Sequence, residues 1–389
     1  MYRKIIKELE NFKNESKSLP IMIIGARQIG KTYVIEEFAR NEYENYIKIN
    51  FEEQPEFKSV FEENLVSKDI ISRIELLLGK EINIENTLIF FDEIQVCPKA
   101  VTSLKYFSES KENYKIVCAG SLLGVALKRE KVSFPVGKVK TINMYQLDFE
   151  EFLIAIGQEK LISEIRKCYN NKVQMLEPIH NRLIKFYTDY LYVGGMPDAV
   201  LNYINSEFSI IRVDKTIAKN IINNYIADMS KYVDGSTETI KLINIYQSLP
   251  KQLNRENIKF KYKIISEFAN KRDYDLPITW LTSSGIVLKS NNLDSINVPL
   301  SAGEDINNFK MYMADTGLLT AMAGSEYLDL VEGADNTFKG SVVENYVAVQ
   351  FISMGFDLLY YKPNKSIEID FLIRLGRKNY SYRSKSRER

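Results

Sequence analysis

The fold of the first part of the chain is decided by residues 21–32, Ile21-Met22-Ile23-Ile24-Gly25-Ala26-Arg27-Gln28-Ile29-Gly30-Lys31-Thr32. The first four are consecutive apolar residues, as expected of a strand that is buried on both faces of a parallel sheet. The last eight match the pattern G-x-x-x-x-G-K-[ST], and a helical pattern runs from Thr32 to Ala39. A glycine loop between a buried strand and a helix is the setting in which this pattern binds phosphate.

Each residue type in this loop has a chemical reason to be there. The two glycines let the backbone wrap closely, so that successive amide N–H groups and the positive end of the helix dipole hold phosphate oxygens. Lys31 is predicted to reach the β and γ phosphates, and the Thr32 hydroxyl is predicted to bind Mg²⁺. All eight residues from Gly25 to Thr32 are therefore candidate nucleotide-binding residues.

A second apolar strand ends in two acids. Residues 87–91 are followed directly by Asp92 and Glu93. Because parallel strands end at the same edge of a sheet, both carboxylates are predicted to lie beside the phosphates. Asp92 is the candidate for the magnesium shell. Glu93 is the candidate to polarise and orient the attacking water, a base role that a carboxylate can take when imidazole is absent.

Helical and strand patterns alternate through the first 145 residues. Strands are also predicted at 46–51 and 114–118, and helices at 2–12, 67–78 and 98–108. This alternation predicts a parallel α/β sheet with right-handed crossovers. From Phe149 to Tyr225 the pattern is helical with interruptions. Beyond it we expect short helices between 239 and 283, a helix at 342–354, and strands near 286–288, 311–313, 358–361 and 367–373.

Composition excludes several classes of protein. The 52 Lys and Arg residues balance 51 Asp and Glu residues, so no bulk charge draws the chain to nucleic acid or membrane. The single histidine, His180, excludes sites that need two imidazoles and argues against a Ser-His-Asp triad. The chain has no apolar run long enough to span a membrane and no signal-peptide core, so we expect a cytoplasmic protein. Its three cysteines are expected to be reduced, packed thiols.

Further segments stand out beside the two already quoted: Ala119-Gly120-Ser121-Leu122, Leu147-Asp-Phe-Glu-Glu-Phe152, Gly194-Gly-Met-Pro197, Met313-Ala-Asp-Thr-Gly-Leu318 and Glu368-Ile-Asp-Phe371. Together these motifs resemble the AAA-type P-loop ATPases of prokaryotes that carry a carboxyl-terminal domain ending in a restriction-endonuclease-like fold. The resemblance covers nearly the whole chain. It implies ATP as the nucleotide and Mg²⁺ as the metal. AAA relatives often form rings, so a homo-oligomer is a further expectation.

The resemblance also implies two more catalytic candidates. Ser121 would be the polar sensor of the γ-phosphate, the alternative being a capping hydroxyl. Where similar proteins carry Gly-Arg, this chain has Gly137-Lys138, and a lysine cannot form the two-pronged contact of an arginine finger. Lys138 is the candidate for that role, with Lys128 and Arg129 as alternatives. We therefore expect slow intrinsic turnover.

At the carboxyl end the resemblance places Glu344 and Asp370 where nucleases gather Mg²⁺. The alternative is a helix salt-bridge partner and a strand-end residue. The Glu-x-Lys of such sites is missing. If the codons from Lys378 are A/T-rich ones, a one-base shift spells Lys-Ile-Ile-Pro-Ile-Glu-Val-Lys-Ala, so we expect a frameshift there. Nuclease activity is not expected. The last sixteen residues, seven of them Lys or Arg, are predicted to be disordered, leaving residues 371–373 as an exposed edge.

These patterns predict four parts: an AAA-like P-loop core at 1–147, a helical region at 148–235, a winged-helix-like module at 236–300, and a truncated restriction-endonuclease-like α/β domain at 301–389, with the suspect tail from 379. The function expected is a Mg²⁺-dependent ATPase that couples hydrolysis to a conformational change of its carboxyl-terminal part. The alternative is a nucleotide-gated scaffold for DNA or protein with negligible turnover. The winged-helix region leaves DNA binding open, and no membrane partner is expected.

Overall fold

The computed structural model describes residues 1–120, 135–232, 235–254, 259–331, 337–364, 367–376 and 378–383. The chain divides into two compact units, Met1–Tyr145 and Gln146–Arg389. The first unit ends close to the boundary predicted at residue 147, and the finer division of the second unit stays a prediction. Ser121, Lys128 and Arg129 lie outside the described residues.

The first unit is built on a parallel sheet of five strands: β1 (Ile21–Ile24), β2 (Asn45–Asn50), β3 (Thr87–Asp92), β4 (Lys115–Gly120) and β5 (Lys140–Asn143). Their order in the sheet is β2-β3-β4-β1-β5. Its helices are α1 (Ile6–Asn14), α2 (Lys31–Glu42), α3 (Ser67–Leu78) and α4 (Pro98–Glu109), with 3₁₀ turns at Pro55–Phe61 and Ile94–Val96. The predicted parallel α/β core is confirmed.

Burial explains which strands the sequence predicted. Every residue of β3 and β4 is buried, which is why both read as continuous apolar runs. β5 was not predicted, because its four residues alternate between half-buried and exposed and carry no apolar run. It is an edge strand, held by parallel pairing with β1.

An aromatic core fixes the carboxyl end of β3. Phe91 lies 5.8 Å from Phe51 and 5.9 Å from Phe61 between ring centroids, and 6.5 Å from Phe107. Each such ring contributes about 1.5–3 kcal/mol by burial. Since Asp92 follows Phe91 directly, this packing also fixes where the two acids begin.

The second unit is mostly helical. Its helices are α5 (Phe149–Ala155), α6 (Glu159–Asn171), α7 (Glu177–Val193), α8 (Pro197–Asn205), α9 (Thr216–Tyr232), α10 (Ser236–Leu253), α11 (Lys271–Ser283), α12 (Thr316–Ala323), α13 (Leu328–Val331) and α14 (Thr337–Ser353), with 3₁₀ turns at Ile210–Arg212, Tyr262–Ile264 and Leu300–Gly303. Its strands are β6 (Val287–Leu293), β7 (Glu304–Met313), β8 (Leu359–Tyr361), β9 (Phe371–Leu375) and β10 (Lys378–Tyr382). β6 pairs antiparallel with β7 and parallel with β8.

The carboxyl-terminal tail corrects one prediction. Disorder was predicted from residue 374 onward, but β10 pairs antiparallel with β9 along five residues. The prediction is therefore wrong for Lys378–Tyr382, and the edge of β9 is covered there. All five side chains of β10 are exposed, so backbone hydrogen bonds, which the composition does not reveal, hold this strand.

Three of the quoted motifs meet in the second unit. Asp315 caps α12 by accepting a hydrogen bond from the Leu318 amide (2.9 Å), and it also accepts one from the Gly195 amide (2.6 Å). The Leu147 amide donates to the Gly195 carbonyl (2.8 Å). Asp148 then begins α5 with a reciprocal capping box to Glu151. Hydrogen bonds to the Gly195 backbone thus join the three motifs.

The buried carboxylate of Asp315 predicts a pH dependence of stability. Burial raises its pKa from 3.8 to about 6, although the backbone N–H groups that it accepts from act in the opposite direction. Between about pH 4 and pH 6 the folded state binds more protons than the unfolded state, so stability falls as the pH rises through this window. Asp315→Asn removes the titration.

We therefore expect the free energy of unfolding of the wild type to fall, relative to that of Asp315→Asn, by about 2 kcal/mol between pH 4 and pH 7. Urea unfolding of both proteins over this range measures the difference. Two curves that run parallel from pH 4 to pH 7 would contradict the prediction.

Candidate nucleotide site

The backbone of residues 25–32 forms the loop between β1 and α2. Gly30 caps α2 with a left-handed backbone (φ +88°), and Gln28 is also left-handed (φ +62°). A Cβ on Gly25 would lie 2.3 Å from the Met144 carbonyl oxygen, so only glycine fits there. Gly30 has no side chain with which to cap α2, and the first turn of this helix contains no acid, so its amide N–H groups are suited to bind an anion.

Lys31 is folded into this loop. Its Nζ donates to the Ala26 carbonyl at 2.6 Å and to the Gly25 carbonyl at 3.0 Å, and the residue is buried. Burial lowers the pKa of the ammonium to about 8, although Glu93 and Asp92 act to raise it. The Lys31 ammonium at the centre of the loop thus loses its proton at a lower pH than an ordinary lysine does.

The two predicted metal ligands lie together. The Thr32 hydroxyl donates to the Asp92 carboxylate at 3.1 Å. Burial raises the pKa of Asp92, and the adjacent Glu93 adds to the rise. Hydroxyl and carboxylate oxygens are the hard donors that Mg²⁺ prefers, and Mg²⁺ ordinarily completes its shell with water and phosphate. Accordingly, in the described part of the chain no three His, Cys, Asp or Glu residues could hold a metal unaided.

Glu93 lies at the same edge of the sheet with an uncommon left-handed backbone (φ +50°, ψ 42°). Its carboxylate accepts a hydrogen bond from the Gln95 amide and lies 3.9 Å from the guanidinium of Arg27. Arg27 also pairs with Glu52 at 3.3 Å. Arg27, one of the eight candidate nucleotide-binding residues, therefore faces the acidic end of β3.

Sequence comparison agrees with this geometry. Residues 17–153 match the family model described as the AAA domain. The first unit contains an α/β P-loop NTPase core, and this core is similar to AAA domains. Residues 184–329 match a domain of unknown function, DUF8612. A search of the curated proteins finds no match to this chain.

Solved structures show similarities of low identity. A Walker-type ATPase of Pyrococcus abyssi is 14% identical with a TM-score of 0.49, and the match covers 82% of this chain and 93% of that one. The ORC2 protein of Aeropyrum pernix, solved as ADPNP and ADP complexes, is 10% identical with a TM-score of 0.41, over 87% and 90% of the two chains. Within the described residues, no helix has the length and hydropathy needed to cross a bilayer.

Two charged residues of the P-loop core are not marked as site residues by any motif in the sequence. Lys48 on β2 lies 2.8 Å from Glu36 and 3.6 Å from the Asp92 carboxylate. A lysine between Ile47 and Ile49, on a strand that pairs in register with β3, was the available signal. Arg3 is buried and donates to the carbonyls of Ile29, at 2.7 Å, and Tyr145. No pattern in the sequence marks this second anchor of the loop.

Lys138 does not join the other predicted site residues. Lys140, two residues later, pairs with Ile21 at the start of β1, whereas the loop follows Ile24 at its end. At about 3.3 Å per residue the two edges lie about 10 Å apart. The Lys138 ammonium instead pairs with Glu109 at 3.0 Å. The structure therefore gives Lys138 no place at the phosphate-binding edge of its own chain.

Proposed function

We propose that this protein binds Mg²⁺–ATP and hydrolyses it. The observation that carries the proposal is the convergence of Lys31, Thr32, Asp92 and Glu93 at one edge of the AAA core. The loop amides and Lys31 would hold the phosphates, and Thr32 and Asp92 would hold the metal. When bound, Mg²⁺ supplies positive charge that offsets the charge developing on the transferred phosphoryl group.

Residues of this chain would activate the attacking water and keep the metal-binding carboxylate charged. Glu93 orients the attacking water and accepts its proton, while Gln95 and Arg27 restrain the position of its carboxylate. The Lys48 ammonium, 3.6 Å from Asp92, opposes the rise in the pKa of that acid and favours its charged form. A carboxylate that remains charged is the form that binds a cation.

We also propose that nucleotide turnover changes the conformation of the second unit. The path of the chain supports this: the Met144 amide donates to the Ile24 carbonyl just before the loop, and three residues later Leu147 is bound to Gly195. A shift of the loop backbone could therefore be transmitted along residues 144–147, which connect the two units. We further propose that residues 236–300 contact DNA or protein as a winged helix; in support, α10 and α11 are followed by β6, which pairs antiparallel with β7 just beyond this range.

The alternative, a nucleotide-gated scaffold with negligible turnover, is favoured by one observation. Lys138, the candidate finger residue, lies at the far edge of its own sheet. A finger contact from Lys138 would then have to be made to the nucleotide of another copy of the chain. Measuring turnover across protein concentration, with and without DNA, separates the two functions, because only an assembling ATPase gains specific activity with concentration.

The decisive test compares wild type with Lys31→Met. We expect ATP affinity to fall about 10- to 100-fold, because a charge-assisted hydrogen bond to phosphate contributes about 1.5–3 kcal/mol. Phosphate release and fluorescent-ATP binding are the readouts. Because the pKa of Lys31 is about 8, wild-type affinity is also expected to decline above pH 8, and that of the variant is not.

Lys140→Met is the matched control. Lys140 is also a lysine of the first unit, but it pairs with Glu8 at the opposite edge of the sheet (2.8 Å). ATP binding should be unchanged by this substitution. If wild type bound ATP no more tightly than Lys31→Met, the proposed function would be wrong.

A further inference from the structure

The second unit contains a buried lysine surrounded by carboxylates. The side chain of Lys310 on β7 is 1% exposed. Its Nζ lies 2.9 Å from Glu344 on α14, 3.1 Å from Glu368 and 3.7 Å from Asp370. For Glu344 and Asp370 the sequence left two possibilities open: a Mg²⁺ site, or a helix salt-bridge partner and a strand-end residue, respectively.

We infer that the Lys310 ammonium takes the place of a divalent cation, so that these carboxylates form no metal centre in this protein. The ammonium has three N–H donors; Glu344 and Glu368 lie within hydrogen-bond distance of Nζ, and Asp370 adds an ion pair at 3.7 Å. The two shortest Nζ–oxygen separations are those of ordinary hydrogen bonds and exceed the 2.0–2.1 Å that Mg²⁺ demands.

The surroundings of Lys310 support this assignment. The Tyr312 hydroxyl donates to the same Glu344 oxygen at 2.7 Å, and the ring of Tyr360 lies 4.9 Å from the ammonium. The cation therefore has polar and aromatic partners in addition to the acids.

The charges of the cluster are nearly balanced without a metal. Lys362 pairs with the second oxygen of Glu368, so two lysines face three carboxylates. Burial raises the pKa of Glu344, while the adjacent lysines lower that of Glu368. A divalent ion beside Lys310 would bring two cations into contact in a buried space.

The inference concerns the second unit and is independent of ATP hydrolysis, so either can fail without the other. It is tested by Tb³⁺ binding to the full chain without nucleotide, with excitation of tyrosine, because Tyr312 and Tyr360 border the cluster. The tyrosine-sensitised Tb³⁺ emission of the wild type should equal that of Glu344→Gln, because the occupied cluster binds no Tb³⁺. Lys310→Met should gain Tb³⁺ affinity by at least about tenfold, since the negative charge of the site increases. Lys310→Met should also unfold at a lower temperature in metal-free buffer and recover when Tb³⁺ is added.

Lys362→Met is the control. It removes a partly exposed lysine that pairs with Glu368 but leaves the Lys310 ammonium among the three carboxylates. Its Tb³⁺ affinity should stay near that of the wild type. If Lys310→Met does not fold, Lys310→Met/Glu368→Gln removes one opposing charge and is expected to gain Tb³⁺ affinity in the same direction. Wild-type emission that is lost in Glu344→Gln would overturn the inference. So would a folded Lys310→Met or double variant that binds Tb³⁺ no better than wild type.

Discussion

Glu93→Gln is expected to hydrolyse ATP roughly a hundred to ten thousand times more slowly than the wild type while binding ATP with similar affinity. The left-handed backbone of Glu93 and its contacts with Gln95 and Arg27 direct the carboxylate to the edge of the sheet where Lys31 and Thr32 lie. Glutamine has the same size but cannot accept a proton from water. Binding is preserved because Lys31 and the loop amides are unchanged.

Glu52→Gln is the control for this prediction. Glu52 is also an acid that pairs with Arg27, at 3.3 Å, but it does not end a strand beside the loop. Its hydrolysis rate should stay within about threefold of wild type. Phosphate release and fluorescent-ATP binding, measured on the same preparations, separate chemistry from affinity. Equal rates for Glu93→Gln and wild type would exclude Glu93 as the base.

Gly195→Ala is expected to destabilise the second unit by more than about 3 kcal/mol or to prevent its folding. A Cβ at this position would lie 2.0 Å from the Leu147 carbonyl oxygen and 3.0 Å from its amide nitrogen. Both are backbone atoms of the segment that hydrogen-bonds to Gly195, so no side-chain rotation relieves the clash. The strain would reach Asp315 through its bond with the Gly195 amide.

Gly355→Ala separates this clash from the general cost of replacing a glycine. Gly355 is left-handed (φ +85°) with open space around its Cβ position, so only backbone strain of about 1–2 kcal/mol is expected. Urea unfolding followed by circular dichroism gives both values. If the two variants lose similar stability, the close packing of Gly195 against Leu147 does not have the importance assigned to it.

The predicted parts of the site are those whose signals lie close together in the chain. The loop from Gly25 to Thr32 follows an apolar strand and begins a helix, and Asp92 and Glu93 end another apolar strand. Each of these patterns spans about a dozen residues or fewer. Parallel strands end at one edge, which was enough to place the acids beside the loop before any contact was known.

The missed residues are polar groups whose partners lie far away in the chain. Arg3 reaches Tyr145, 142 residues away, and Lys310 reaches Glu344, 34 residues away. A charged residue in a sequence predicts a solvent-exposed side chain. Its burial is stable only when hydrogen-bonding or oppositely charged groups from elsewhere in the chain pair with it. β10 was missed for a different reason: its residues are polar and exposed, and the backbone hydrogen bonds that it forms with the neighbouring β9 leave no mark in the composition.

The amino-acid sequence alone therefore determined the phosphate loop, the acidic strand end and the parallel sheet, because local hydrophobic pattern and backbone chemistry specify them. Only the tertiary structure decided that Lys138 lies away from the loop, that Arg27 faces Glu93, and that Lys310 sits among three carboxylates. These outcomes depend on which distant groups meet, since charge pairing acts through space over a few ångströms regardless of separation along the chain.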